Sequence, residues 1–150
     1  MSSYSGRPTG GSVATAVKPL FDPKLPDAAL FDTLAERQAD AMEKIVSSQL
    51  RRFFGEVKEL YRRFDALTRD KDASDAEAIY RQHIEPLFKM IRSKVAYASR
   101  QKAAGTVPVD FQRFIDHGVS QVSNPADFRR FVMHFEAVVG FLYGKGKVER

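Results

Sequence analysis

The chain has 150 residues, a formal net charge of +5 and no cysteine. This length is typical of one domain, and a hydrophobic share of 43% fits neither a membrane protein nor a fully disordered chain. Without cysteine the chain can form neither a disulfide nor a thiolate metal site, which favours a reducing cytosol, so we expect a cytoplasmic protein. The basic excess favours an acidic partner such as RNA, DNA or lipid head groups, but only modestly.

Residues 1–26 contain four of the seven prolines and three of the nine glycines. Such a composition does not support a long helix and buries little apolar surface. We therefore predict a disordered tail or linker over residues 1–26, with Leu20 and Phe21 touching the following domain.

Helical spacing of apolar residues begins at Asp27, which is a plausible N-cap, and predicts a first helix to about Val46. Ser47 or Ser48 can cap the second helix. This helix is the clearest element, because its apolar residues keep the three-to-four spacing over about five turns. Its predicted core residues are Leu50, Phe53, Phe54, Val57, Leu60, Tyr61, Phe64 and Leu67.

Residues 70–75 are polar, and we expect them to form a loop. A third helix follows, with Ser74 or Asp75 as its cap, and Pro86 should kink it or split it in two. Gly105 and Pro108 separate it from a fourth helix, which we expect to reach Val122.

The fifth helix has the strongest start signal, with Asn124 as the cap, Pro125 at the first helical position and Asp127 in the first turn. Gly144 ends it. No segment shows strand-like alternation. The sequence therefore predicts an all-α fold, a compact bundle of about five helices over residues 27–144, followed by a short basic tail over residues 145–150.

A row of basic residues follows one strip of the second helix, about 40° wide when projected at roughly 100° per residue. It would span about 27 Å at 1.5 Å per residue if the helix continued that far. The row consists of Arg51, Lys58, Arg62 and Arg69. Arg52 lies on another side, among Glu56 and Glu59, where pairing would partly cancel its charge.

A second basic cluster lies between Pro86 and Val109, a stretch without any acidic residue. Its cations are Lys89, Arg92, Lys94, Arg100 and Lys102. Alanines between them would let a phosphate backbone come close, and such contacts would be salt-sensitive and indifferent to base sequence. Tyr97 could stack on a base, or could equally be a core or interface aromatic. In projection, Arg100 falls beside Lys89.

The sequence shows no residue pattern typical of a catalytic site or a metal site. His83, His117 and His134 form no ligand pair of metal-site spacing, and the calcium-loop likeness that starts at Asp70 fails at its later positions. No nucleophile with an adjacent base stands out. We therefore expect no enzyme activity, no cofactor and no metal.

Three segments, kept in order and spacing, resemble a known family. They are SQLRRFF from Ser48 to Phe54, KVAYASR from Lys94 to Arg100, and the terminal helix from Phe128 to Tyr143 with FEAVV at its centre. The chain resembles, over about residues 45–143, the small subunit of type III-A CRISPR effector complexes, the Csm interference complexes.

The resemblance implies a five-helix bundle without nuclease activity, since the catalytic steps belong to other subunits of such complexes. It implies head-to-tail stacking of several copies beside the repeated backbone subunit and the large subunit. It also implies contact with guide RNA and target RNA through phosphates, and no membrane. Arg51 or Arg52, Lys94, Tyr97 and Arg100 occupy positions in the matching segments, where Tyr97 and Gln49 could instead hold the fold.

Two other classes of protein fit the same sequence. A helical adaptor would bind protein partners through its Phe-rich surface, and its basic strips would then meet acidic patches. A stand-alone nucleic-acid-binding regulator would bind RNA or DNA directly, although no helix-turn-helix pair with a short Gly-containing turn is evident.

Overall fold

The computed structural model describes residues 18–100 and 105–150. These residues form helices joined by short loops, with one two-stranded pairing. In chain order the elements are α1 (Asp27–Leu30), α2 (Thr33–Ala41), β1 (Ile45–Val46), α3 (Ser47–Thr68), α4 (Ala73–Ile79), a π-helical turn (Tyr80–Ile84), α5 (Glu85–Ala98), α6 (Val109–Gln121), α7 (Pro125–Gly144) and β2 (Val148–Glu149).

The predicted all-α bundle of about five helices is confirmed. The first predicted helix corresponds to α1 and α2, the second to α3, the third to α4 through α5, the fourth to α6 and the fifth to α7. Most of the predicted tail, residues 1–17, lies outside the described residues.

The first helix is broken, which corrects the prediction of one helix to Val46. It stops at Leu30, resumes at Thr33, and gives way to extended chain before Ile45. The extended end follows from contacts distant in sequence: β1 pairs in parallel with β2, Ile45 opposite Val148, and the Ile45 amide donates to the Lys147 carbonyl at 2.9 Å. Residues 145–150, predicted as a basic tail, thus include a strand that packs on the bundle.

Lys147 explains why α2 ends where it does. Its ammonium donates to the carbonyls of Ala39, Asp40 and Met42 at 3.2, 2.7 and 2.6 Å. These groups lie at the C-terminal end of a helix, where backbone acceptors lack intrahelical partners and a cation is favoured.

Three of the predicted caps are wrong. The N-cap of α3 is Val46, without a side-chain cap, and Ser47 begins the helix itself. The N-cap of α4 is Asp72, whose carboxylate accepts from the Asp75 amide at 2.8 Å. Asp27 likewise lies in the first turn of α1, after the N-cap Pro26.

The interruption predicted at Pro86 is present as the π-helical turn that directly precedes it. Proline has no amide hydrogen and its ring clashes with the carbonyl four residues earlier, so a regular helix cannot pass through it unchanged. The π-helical turn over Tyr80–Ile84 is wider than an α-helical turn and accommodates the missing hydrogen bond and the ring of the proline. The backbone nevertheless stays helical from α4 through the π turn into α5.

Helix α7 is the centre of the bundle. It begins as predicted, with the Asn124 side chain accepting from the Asp127 amide at 2.8 Å and Pro125 at the first position. Phe131 is fully buried, with its ring centroid 5.2 to 5.8 Å from the rings of Phe21, Phe88, Phe114 and Phe135. On α6, Gly118 permits this packing, because a Cβ there would overlap the Phe131 ring.

The segment before α1 packs into the same core. Phe21 is 1% exposed, although the sequence placed it in the tail; its predicted contact with the domain is therefore present. His117 donates through Nε2 to the Phe21 carbonyl at 2.7 Å, and the Leu20 amide donates to the Gln38 side chain at 2.7 Å. The domain that packs as a unit thus begins before residue 27.

His134 is a buried imidazole of the core. Its Nδ1 donates to the Leu30 carbonyl at 2.6 Å, while its Nε2 is buried without a hydrogen-bond partner among the described residues. Burial lowers the pKa of His134, since a charged ring would lose its hydration between the rings of Phe21 and Phe114.

We predict that Phe21→Ala lowers the free energy of unfolding by about 3 to 5 kcal/mol, the usual cost of truncating a buried phenylalanine. Urea unfolding of the full chain measures this change. Leu25→Ala, at a side chain 38% exposed, is the control and should cost under about 1 kcal/mol. Equal losses in the two variants would mean that Phe21 is not part of the core.

We also predict that His134 makes stability fall on acidification. Because its folded-state pKa is lowered, the unfolded chain binds more protons as the pH drops below about 6.5, the ordinary histidine value. His134→Asn keeps a donor near Leu30 but cannot titrate. Its deficit in melting temperature relative to the wild type should be constant above about pH 7.5 and shrink below about pH 6.5. A deficit that stays constant down to about pH 5 would contradict this role.

Candidate nucleic-acid interface

Ten of the eleven residues predicted to contact RNA can be placed in the structure. Nine of them are exposed: Arg51, Arg52, Arg62, Arg69, Lys89, Arg92, Lys94, Tyr97 and Arg100. Lys58 is half-buried, and Lys102 lies outside the described residues. They lie on α3 and α5, which pack against each other, or just beyond the ends of these helices.

The row predicted along α3 is shorter than its projection, and two of its cations pair with carboxylates. The helix ends at Thr68, so Arg69 lies outside it and does not extend the row. Lys58 pairs with Glu136 of α7 at 2.9 Å, and Arg62 pairs with Glu59 at 2.8 Å. Carboxylates from the same helix and from a neighbouring helix therefore interleave with the cations.

Arg51 makes no ion pair within residues 18–100 and 105–150, whereas Arg52 and Arg62 of the same helix each pair with a glutamate. It lines an open cleft of about 560 Å³ at the start of α3, together with Ser47, Tyr143 and Arg150. Sequence reasoning missed Arg150, since only the pairing of β2 with β1 brings it to this cleft.

Glu56, a residue of α3, reaches across to α5. Its carboxylate is 2.9 Å from Lys94 Nζ and 3.8 Å from Arg52 Nε. The same carboxylate lines a shallow groove of about 210 Å³, floored in part by Leu87 and Met90. One acidic residue thus brings together two predicted RNA contacts from different helices. The sequence had placed Glu56 beside Arg52 and Arg63 of its own helix and gave no sign of Lys94.

A second groove, of about 310 Å³, separates α5 from α6. Lys89 and Arg92 line it, with the small side chain of Ala96 between the helices. Arg92 Nε lies 3.1 Å from Asp116 Oδ1, and Lys89 Nζ lies 4.0 Å from Glu85. The basic stretch contains no acid in sequence, but α6 and the start of α5 supply carboxylates in space.

Arg100 stacks on Tyr97, which corrects its predicted position beside Lys89. Because α5 ends at Ala98, the helical projection does not extend to Arg100. The guanidinium carbon lies 3.7 Å from the Tyr97 ring centroid, and Nη1 donates to the Tyr97 carbonyl at 2.7 Å. Tyr97 is 65% exposed, so it is no core aromatic of this chain.

Gln49, the other matching residue with a possible structural role, donates through Nε2 to the Gly105 carbonyl at 3.1 Å. It ties the start of α3 to the loop that precedes α6. The side chain is therefore occupied in holding this loop.

The ion pairs at these positions are exchangeable. Solvent-exposed pairs contribute about 0 to 1 kcal/mol each, so a phosphate can replace a carboxylate at little cost. Arginine in particular presents a planar set of donors that suits phosphate oxygens. The surface can therefore hold a phosphate backbone without reading bases.

Neither a group of metal ligands nor a membrane-spanning helix is present in the part of the chain that the structure describes. Its acidic and histidine side chains nowhere gather in a group of three that could hold a metal ion. None of its helices has both the length and the apolar character needed to cross a bilayer.

Together these features define a small helical-bundle protein whose outer helices expose basic side chains, in ion pairs that a phosphate can replace. A family model described as Csm2 Type III-A matches residues 26–145, and the chain belongs to this family. It is a small subunit of a type III-A CRISPR effector complex, a multi-subunit assembly with RNA, as the resemblance of its sequence implied. No curated protein and no solved structure matches the chain.

We predict that Tyr97→Ala leaves the free energy of unfolding within about 1 kcal/mol of the wild type, because the ring is exposed and packs mainly on Arg100. Tyr80→Ala is the control: its buried ring should cost about 3 to 5 kcal/mol on truncation. Urea unfolding of both variants measures the difference. A loss above about 2 kcal/mol at Tyr97 would assign this ring to the core.

Proposed function

We propose that this subunit stacks head to tail, in several copies, into an inner filament of the effector complex. The filament lines the channel that holds the guide RNA paired with target RNA, beside the repeated backbone subunit and the large subunit. Each copy contacts phosphates of the RNA and reads no bases.

The observation that carries this proposal is the exposure of the predicted cations on two adjacent helices. Arg51 and Arg52 on α3, and Lys94 on α5, occupy positions in the segments that resemble the family, and all three are exposed. Arg100 adds a guanidinium next to the exposed Tyr97 ring. Exposed guanidinium and ammonium groups in this number are the chemistry of phosphate contact.

Weak contacts in each copy suffice for this function. A single copy neutralises a few phosphates, and linking copies along a filament raises the overall affinity without any new contact. Pairing between guide and target supplies the sequence specificity, as in other RNA-guided systems.

The subunit itself carries out no chemical step in this proposal. Two of its three histidines donate to backbone carbonyls, His117 to Phe21 and His134 to Leu30, and so act in the fold. Target cleavage and the other reactions of the complex belong to its other subunits, in the cytoplasm.

We predict that replacing Arg51, Lys58 and Arg62 together with alanine weakens RNA binding for every RNA sequence tested. The dependence of log affinity on log salt should flatten by about 0.7 to 0.9 for each phosphate that the variant no longer neutralises. Fluorescence anisotropy with labelled RNA duplexes, over a series of salt concentrations, measures both quantities.

A matched control removes three exposed cations outside the predicted site, Lys24, Arg37 and Arg129. It changes the net charge equally, so it should lower affinity far less and keep most of the salt slope. An unchanged slope in the Arg51/Lys58/Arg62 variant, with its melting temperature preserved, would contradict the proposed contact surface.

A further inference from the structure

Among the described residues, Glu56 is the acidic residue that pairs with two of the predicted RNA contacts. One carboxylate oxygen accepts from Lys94 Nζ at 2.9 Å, and the other lies 3.8 Å from Arg52 Nε. The two cations come from different helices. Glu56 therefore joins α3 to α5 at the surface where both helices expose their basic residues.

The pairing repeats one turn further along the groove. Glu59, which lines the same groove, pairs with Arg62 at 2.8 Å. Three predicted RNA contacts thus face two carboxylates across this surface. Much of its positive charge is neutralised before any nucleic acid arrives.

A phosphate and the Glu56 carboxylate compete for the same donors. Both present oxygens that accept from ammonium and guanidinium groups, and both are negatively charged. The Glu56 side chain is 31% exposed and belongs to the same helix as Arg52, so its charge stays close to any phosphate that Arg52 and Lys94 bind. A carboxylate that stays within a few ångströms of a bound phosphate repels it.

We propose that Glu56 acts as an intramolecular competitor of RNA for Arg52 and Lys94. It keeps the affinity of a single copy low, so that firm binding requires several copies on one RNA duplex. This inference rests on the proposed function and adds to it a regulation of the same surface.

The opposite role makes the opposite prediction. If Glu56 instead held Arg52 and Lys94 in the geometry that phosphates need, its removal would loosen both cations and weaken binding. The sign of the effect of Glu56→Gln on RNA affinity therefore distinguishes the two roles.

The test compares the full-length wild type with Glu56→Gln by anisotropy on a labelled RNA duplex, across a salt series. Glu56→Gln keeps the shape of the side chain and removes its charge. We expect affinity to rise about three- to tenfold at low salt, and the salt slope to steepen by up to about one unit.

Two further variants show whether the gain is local. Glu36→Gln makes the same change of net charge at a carboxylate that pairs with Lys145, and should raise affinity less than about twofold. In a Lys94→Ala background, Glu56→Gln should give a clearly smaller gain, because one of the two released cations is missing.

Equal gains in Glu56→Gln and Glu36→Gln, or a loss of affinity in Glu56→Gln, would overturn the competition while leaving phosphate binding intact. A chain that binds no RNA duplex at low salt, with or without Glu56, would overturn the proposed function as well. Melting temperatures of all variants confirm that the comparison is made between folded proteins.

Discussion

The close approach of α7 to α6 fixes the arrangement of the bundle. Phe131 packs directly on the backbone of Gly118, and its ring is surrounded by four other phenylalanines from α5, α6, α7 and the segment before α1. Protein interiors are close-packed, so these rings leave little freedom for helices to shift. Helices α2 and α3 pack along α7, and α5 reaches it through Phe88. The polar faces of α3 and α5 point to solvent.

The geometry of the basic surface follows from that burial. On α3, Leu50, Phe53 and Val57 face inward, which leaves Arg51, Arg52 and Arg62 outside. The same holds for α5, where Phe88, Ile91 and Val95 are buried and Lys89, Arg92 and Lys94 are exposed. Membership of the Csm2 Type III-A family places the chain in a multi-subunit effector complex with RNA.

Sequence reasoning succeeded where structure depends on neighbours in sequence. The three-to-four spacing located α3 and α7, and Asn124 with Pro125 marked the start of α7 because capping involves residues only three positions apart. It failed where distant parts of the chain decide the conformation. Pairing of β1 with β2 gives the end of the first helical region an extended conformation. Phe21 is buried in the core although the segment around it has the composition of a disordered tail.

The candidate site shows the same division. Projection on a helix identified which cations are exposed, since exposure follows from the apolar face of the same helix. It could not identify their carboxylate partners, because Glu136 and Asp116 lie on other helices than the cations they pair with. The row on α3 is therefore purely basic in a helical projection, but carboxylates of α3 and α7 lie among its side chains in the folded protein. The contact of Glu56 with Lys94 exists only because α5 packs beside α3.

Photo-crosslinking of the assembled effector complex, loaded with guide and target RNA, tests the central claim most directly. Mass spectrometry of the digested complex then identifies the peptides of this subunit that carry nucleotides. We expect crosslinks on α3 between Arg51 and Arg62 and on the segment from Lys89 to Arg100, at many positions along the RNA. An assembled complex whose RNA crosslinks only to other subunits, or to the α1–α2 side of this one, would contradict the account.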